Sequence, residues 1–340
     1  MFIDKSKFFN PNDAPYYNPI DDHKVVLITG GNSGIGWYTV LHLYLHGYII
    51  YIAGRTESKV LKAIEDIKIE AKKRRDTEKE QQHPLGELNY IYIDLLDLST
   101  VPKAVEKFKS REKKLDILIN NAGIMGIPYE ITRDGYEVQY QVNFVSHFLL
   151  TLQLIPQLKA SDFGPRVINL SSIGHNFEFK HYTPEQNTLK NWPNSWYTWV
   201  RYGIAKTTQI QFSKEMSKKY PSILTIAIHP GIILGTDLYK YWKTIPVVKY
   251  GSKLVFSISD KVMGVSNEEG ALATLRAAMD PNLSTTKNNG DYFVTGGVID
   301  TPSKIARNEK YCKETWDWNL EQLIKKGYEL DNITEVDEKN

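Results

Sequence analysis

The chain alternates short, almost wholly apolar runs with longer stretches in which apolar residues recur every three or four positions. The first apolar run, VVLIT at 25–29, stops at a glycine cluster, the mark of a buried parallel strand. Helical spacing follows over 38–46, and YIIYIA at 48–53 reads as a second strand. A charged helix is predicted from Glu57 to about Glu80, its far end (KKRRDTEKEQQ) a solvated extension. Four more strands are predicted at 88–93, 115–119, 166–170 and 223–228, separated by helical patterns that include 136–159 and 199–220. Such alternation means βαβ units, a parallel sheet and right-handed crossovers, and hence an α/β, doubly wound fold. Residues 1–22 read as a tail, 23–300 as one domain and 301–340 as a C-terminal extension, with a closing helix near 320–324 onto which Trp316 and Trp318 pack back.

Composition narrows the function classes. At 340 residues, with 41% hydrophobic and 24% charged positions, the chain is neither disordered nor too small to bury a core. Lys+Arg of 42 against Asp+Glu of 40 leaves a charge of +2, which argues against a nucleic-acid binder. A single cysteine, Cys312, rules out an intramolecular disulfide and a cysteine-cluster metal site, and no metal is expected. Core packing explains most of the 12% aromatic content, with 21 Tyr and 7 Trp, and an apolar pocket or a membrane-facing patch could claim the rest. No secretory signal is visible in the first 22 residues, and no apolar run of about 18 residues suggests a membrane-spanning helix. A cytosol-facing protein is expected.

The first strand runs directly into TGGNSGIG, and a helix follows. Glycines there permit a tight turn and close backbone approach to a pyrophosphate, while the helix N-terminus offers free N–H groups. Gly30, Asn32, Ser33, Gly34, Ile35 and Gly36 are the candidate cofactor residues of this loop. Counted from Gly30 the spacing is G-x-x-x-G-x-G, not the G-x-G-x-x-G of the common dinucleotide fingerprint. At the end of the second strand, where an acidic residue would bind the ribose 2′-hydroxyl of NAD, stands Arg55, 19 positions after Gly36. A guanidinium suits a 2′-phosphate, so NADP(H) is favoured over NAD(H). Farther on, Tyr202 and Lys206 form Tyr-x-x-x-Lys on a predicted helix, where i and i+4 share a face. An ammonium a few ångströms away lowers the phenol pKa from ~10 by about 1–3 units, which fits it to exchange a proton with a substrate oxygen.

The glycine spacing and the Tyr-x-x-x-Lys pair resemble the short-chain dehydrogenase/reductase family, over roughly residues 24–281. The resemblance implies a Rossmann-type sheet and further roles. Asp94 and Leu95 match the position that contacts adenine; Asn121, Ala122 and Gly123 belong to the N-N-A-G motif beside the cofactor. Ser172, in Asn169-Leu-Ser-Ser, matches the serine that holds the substrate oxygen, and is preferred to Ser171 because the second serine is the usual position. Asn143, in QVNFVSHF, matches the asparagine that anchors a water leading to the lysine. Lys206 is also expected to hold the ribose, and Pro230, Gly231, Ile233 and Thr236 to pass the nicotinamide.

Two departures from the family pattern stand out. Ser172 and Tyr202 lie 30 apart, so residues 174–201 form an aromatic insert expected to loop out near the pocket. The segment from Pro230 to Thr236 carries one residue more than P-G-x-x-x-T, which weakens Thr236 as a ligand. Within the family, TGGNSGIGWYTVLHLYLHG, NNAGIM, SSIGH and GVSNEEGALATLRAAMDPNLS are close to the retinol-dehydrogenase-like branch, and especially to a fungal oxidoreductase group associated with lipid droplets. That implies an apolar, lipid-derived alcohol or carbonyl substrate and a droplet or endoplasmic-reticulum surface. Residues 238–263, with five lysines among apolar positions, suit either a substrate lid or a contact with an anionic lipid surface. A homodimer through the helices of Asn143 and Tyr202 is a family habit that the inserts could block. Two rival readings are a nucleotide-binding scaffold on lipid surfaces and an epimerase. The set of Ser172, Tyr202, Lys206 and Asn143 argues against the first, and the glycine spacing with N-N-A-G against the second.

Overall fold

The structure, a computed structural model, describes residues 4–77, 83–182, 194–233 and 265–330. Along the chain it places β1 (Val25–Thr29), α1 (Gly34–Leu45), β2 (Ile49–Gly54), α2 (Glu57–Thr77), β3 (Glu87–Tyr92), α3 (Thr100–Lys109) and β4 (Ile117–Asn120). Then come α4 (Val138–Tyr140), a π-turn (Gln141–Val145), α5 (Ser146–Lys159), β5 (Arg166–Leu170), α6 (Asn194–Lys219) and β6 (Leu224–Ile228). The last part holds α7 (Asn267–Met279), the one-turn α8 (Thr285–Asn288), β7 (Tyr292–Val294), β8 (Val298–Asp300) and α9 (Glu309–Lys325).

One eight-stranded sheet results, in the order β3-β2-β1-β4-β5-β6-β7-β8, parallel throughout except for the antiparallel β7–β8 edge. Strand side chains alternate between the two faces. Val25 and Leu27 enter the core shared with Phe144, Phe148, Phe212 and Trp316, whereas Val26 and Ile28 enter the core shared with Val40, Leu41 and Leu275. Both faces are therefore dry, which is why the strands read as unbroken apolar runs. The chain reverses its winding between β1 and β4, and a doubly wound sheet opens its ligand crevice at such a switch, beyond the strands' C-terminal ends.

Several elements differ from the sequence reading. Helix α1 starts at Gly34, inside the glycine cluster, rather than near residue 38. The predicted helix over 136–159 is interrupted by the π-turn that carries Asn143. The insert does not simply loop out: its first part is a 3-10 turn (Ile173–Phe177), and from Asn194 it is the opening of α6. Strands β7 and β8 and helix α7, which has a Ser266–Glu269 capping box, are additional elements.

The ends are built into the fold. Phe9 N–H donates to the Gly296 carbonyl and Tyr17 N–H to the His46 carbonyl, both at 2.9 Å, so the expected tail lies along the sheet's margin. Helix α9 is longer than the closing helix expected and packs along α6. Its Trp316 meets Phe148 edge-on at 5.2 Å and stacks with Phe212 at 5.6 Å. Thr315 Oγ1 donates to Gln211 Oε1 at 2.7 Å, and Asn319 Nδ2 to the Tyr140 hydroxyl at 2.9 Å.

Candidate active site

At the mouth of β1 the backbone turns through Gly30 at φ +66° and Gly34 at φ +55°, values that glycine adopts without strain. Ser33 occupies the N-cap of α1 without capping it through its side chain, which leaves the first N–H groups of the helix directed outward. Gly36 is required by contact. A Cβ there would stand 2.4 Å from the Gly30 carbonyl oxygen and 2.7 Å from Asn121 Nδ2.

The neighbouring strand end is held to this loop by a chain of buried polar groups. Asn121 Nδ2 donates to the Thr29 carbonyl at 2.8 Å, and the N–H groups of Asn121 and Ala122 both donate to Thr29 Oγ1 at 3.0 Å. With those lone pairs taken, the Thr29 hydroxyl gives its own proton to His147 Nε2 at 2.9 Å. His147 then carries its proton on Nδ1, aimed at the Asn143 carbonyl at 3.2 Å, and burial holds this imidazole neutral, its pKa pushed down to about 4. The π-turn turns the Asn143 side chain back onto the N-N-A-G loop. There Oδ1 accepts from Ile124 N–H at 2.8 Å and Nδ2 donates to the Ile124 carbonyl at 2.9 Å.

Across the crevice, the end of β5 and the first turns of α6 bring the remaining groups together. Ser171 is consumed by the scaffold, its hydroxyl donating to the Lys206 carbonyl at 2.7 Å. Ser172 Oγ accepts from Gly174 N–H at 3.0 Å and faces the cleft. The 30 positions between Ser172 and Tyr202 in sequence vanish in space, because α6 packs on the turn at Gly174. A Cβ at Gly174 would lie 2.6 Å from Tyr202 Cε1 and 3.3 Å from Ser172 Oγ, so hydroxyl and phenol flank one small gap. Lys206 is buried one turn farther on, its Nζ 5.6 Å from the centre of the Tyr202 ring. It donates to the Leu170 carbonyl at 2.7 Å and to Gln209 Oε1 at 2.9 Å. Desolvation pushes its pKa down to about 7. A phenol, a hydroxyl and a buried lysine thus line a single cleft of about 840 Å³ with the glycine loop.

The family model for short chain dehydrogenases matches residues 24–184 of this chain. A short-chain dehydrogenase/reductase of Aspergillus calidoustus is 33% identical over 334 residues, which cover 92% of this chain and 97% of that protein. The chain belongs to the short-chain dehydrogenase/reductase family. Retinol dehydrogenase 12 of Mus musculus is 31% identical over 302 residues, 88% of this chain and 86% of that one. Among solved structures, L-sorbose reductase from Gluconobacter frateurii, complexed with NADPH and L-sorbose, shares the fold with a TM-score of 0.60 at 21% identity, over 85% of this chain and all of that chain.

This short-chain dehydrogenase/reductase is accordingly an oxidoreductase of CH–OH groups that works with a nicotinamide cofactor. Its residues fit such a group: the positions where a dinucleotide backbone would pass are Gly30, Gly34, Gly36 and Gly123. At the last, a Cβ would strike Asn143 Oδ1 at 2.8 Å. Ser33, Ile35, Arg55, Asn121, Ala122, Pro230, Gly231 and Ile233 also line the cleft. Four predicted residues are not among those that line it. Asn32 lies beside Gly54; Asp94 backs Arg55 at 3.9 Å; Leu95 turns into the core with its carbonyl taken by Ser146 Oγ; Asn143 works through Ile124. Thr236 and residues 238–263 fall outside the described residues. Thr29, His147 and Gln209 escaped the sequence reading. Gln209 had a signal, for it follows Tyr202 at i+7 and Lys206 at i+3, on the same stripe of helix. Among the described residues no helix is long and apolar enough to cross a membrane, and no cluster of metal-ligating side chains occurs.

Proposed function

We propose that the protein is an NADP(H)-dependent oxidoreductase interconverting a hydrophobic, lipid-type alcohol and its aldehyde or ketone, with Tyr202 as acid/base. The observation that carries the reading is the gap at Gly174, where the Tyr202 ring and Ser172 Oγ converge beside the buried Lys206. A carbonyl oxygen placed there would accept a hydrogen bond from Ser172 and a proton from Tyr202. Lys206 favours the charge that the phenol acquires, and it would also hold the ribose. The nicotinamide, when bound, supplies or accepts the hydride. Asn143 acts through its side chain, which fixes the loop at Ile124, while its carbonyl accepts from Gln209 and His147.

Preference for NADP(H) is supported by the rim of the cleft. Arg55, with 60% of its side chain exposed and Asp94 behind it at 3.9 Å, follows Ala53 and Gly54, so the last residues of β2 bring a guanidinium and no carboxylate of their own toward a 2′-phosphate. A hydrophobic substrate is supported by the walls beyond the glycine loop, where Ile124, Met125, Ile127, Phe177 and Trp199 supply the surface, and by the likeness to a retinol dehydrogenase. Ile173 and Phe177 of that wall are exposed, as are Phe179 and Trp196 a few residues along the chain, which suits work at a lipid surface such as a droplet. The lipid-surface reading is dropped if the protein stays in the infranatant when floated with artificial droplets.

Two variants test the assignment. Tyr202→Phe is expected to remove turnover of long-chain aldehydes and alcohols while NADPH still binds; a variant that keeps the wild-type kcat overturns the role of Tyr202. Arg55→Ala is expected to weaken NADPH binding by about tenfold, the loss of one charge-assisted pair, and to leave NADH unchanged, as read by cofactor fluorescence. Equal loss for both cofactors refutes the preference.

A further inference from the structure

Behind the lysine lies a side chain that the proposed chemistry has not yet used. Gln209 is 1% exposed; its Oε1 accepts from Lys206 Nζ at 2.9 Å and its Nε2 donates to the Asn143 carbonyl at 2.8 Å. The neighbours fix which way the amide points, since an ammonium only donates and a carbonyl only accepts. The other acceptor on Lys206 is the Leu170 carbonyl, which any residue at that position would provide. Gln209 is the acceptor chosen by the sequence.

We propose that Gln209 is a positioning residue that keeps the shared proton of the Tyr202–Lys206 pair on the lysine, leaving the phenol oxygen as the group that releases and recovers a proton. The inference rests on the acid–base reading of Tyr202 given above. Once the pair has lost one proton, two arrangements compete: phenolate beside ammonium, or phenol beside amine. Burial favours the second, which places no charge in a dry site. Desolvation is also the only influence that moves Lys206 away from the ordinary lysine range. The acceptors on its N–H bonds therefore tip the balance. Gln209 holds its acceptor in place because the far end of the amide is fastened to the Asn143 carbonyl, itself fixed by His147 Nδ1–H.

Among the described residues, the histidines and Tyr292 around the pair bring no charge, while the carboxylate of Glu178 acts on His175 and that of Asp300 on His175 and Tyr292. His147 of α5 and His229 after β6 are held down to about 4 by burial, and burial also lowers His175. Tyr292 of β7 is pushed well above the ordinary tyrosine range by burial, so it stays a neutral phenol.

The test follows tyrosinate absorbance against pH for the full-length chain with NADP+ bound. Each protein is read against the same protein carrying Tyr202→Phe, so the difference isolates one phenol. Wild type is expected to show one tyrosinate forming ahead of the other tyrosines. In Gln209→Met its midpoint is expected to rise by about one pH unit, equivalent to a tenfold smaller phenolate population at neutral pH. Gln209→Asn, one methylene shorter, is expected to move the midpoint the same way and is read if the methionine variant does not melt cooperatively. A merely structural role would lower the melting temperature and leave the midpoint unmoved. Midpoints within about 0.2 pH unit of wild type overturn the role of Gln209 while leaving that of Tyr202 standing. Absence of any early tyrosinate in the wild type overturns both.

Discussion

Gly174→Ala probes the gap where the proposed chemistry takes place. The added methyl would begin 2.6 Å from Tyr202 Cε1 and 2.9 Å from Cδ1, and ordinary contact starts at 3.4 Å. The ring must withdraw by about 0.8 Å, or the turn at Ile173–Phe177 must lift by as much, since Ser172 Oγ on the other side already stands at 3.3 Å. No positive φ is recorded at Gly174, so alanine adds no backbone strain. A displacement near 1 Å of a reacting group lowers a rate by about 100-fold, roughly 2.7 kcal/mol of barrier. The glycine loop and Arg55 lie on other elements, so the NADPH dissociation constant should stay within about twofold. The assay is steady-state NADPH oxidation with a saturating long-chain aldehyde, beside a fluorescence titration of NADPH. A kcat within about threefold of wild type would refute the claim that Tyr202 and Ser172 act across that gap.

Two further expectations concern stability. Trp316→Ala opens a cavity between Phe148 and Phe212 and should lower unfolding stability by about 3–5 kcal/mol in urea; a loss below about 1 kcal/mol would mean that α9 adds little to the core. Glu268 accepts hydrogen bonds from His42 and then Arg74, which hold its pKa down to about 2. A lowered carboxylate pKa adds stability above the ordinary range near 4.5, and that contribution disappears as pH falls toward 2. Glu268→Gln should therefore flatten the stability–pH curve between those limits, and an unchanged acid slope would contradict the assignment.

The parallel centre of the sheet was legible because its strands are buried on both faces, so VVLIT and RVINL needed no periodicity to be recognised. Strands β7 and β8 are three residues each, in a stretch broken by Gly296 and Gly297, too short for any pattern to show. The N-terminal half of α9 (EKYCKETWDW) reads as polar because only one stripe of it, Cys312, Thr315 and Trp316, is buried. Helix α1 was placed too late since glycines argue against helix, yet here they form its first turn, where backbone and not side chain is wanted. At the site, Tyr202, Lys206 and Ser172 could be named from spacing and resemblance. The π-turn that orients Asn143 could not, because a single extra residue per turn leaves no trace in hydrophobic periodicity.

The seating of α9 on α6 has a consequence for biosynthesis. The strands that flank the glycine loop are complete by Asn120, within reach of local assembly as the chain leaves the ribosome. The helix bearing Tyr202 and Lys206 keeps the Phe148–Phe212 face uncovered until Trp316 has been translated, about a hundred residues after Phe212. The reactive half of the protein is thus the last to close, and a nonsense codon before α9 would yield a chain carrying the full set of Ser172, Tyr202 and Lys206 with an open apolar flank, a target for chaperones and proteases.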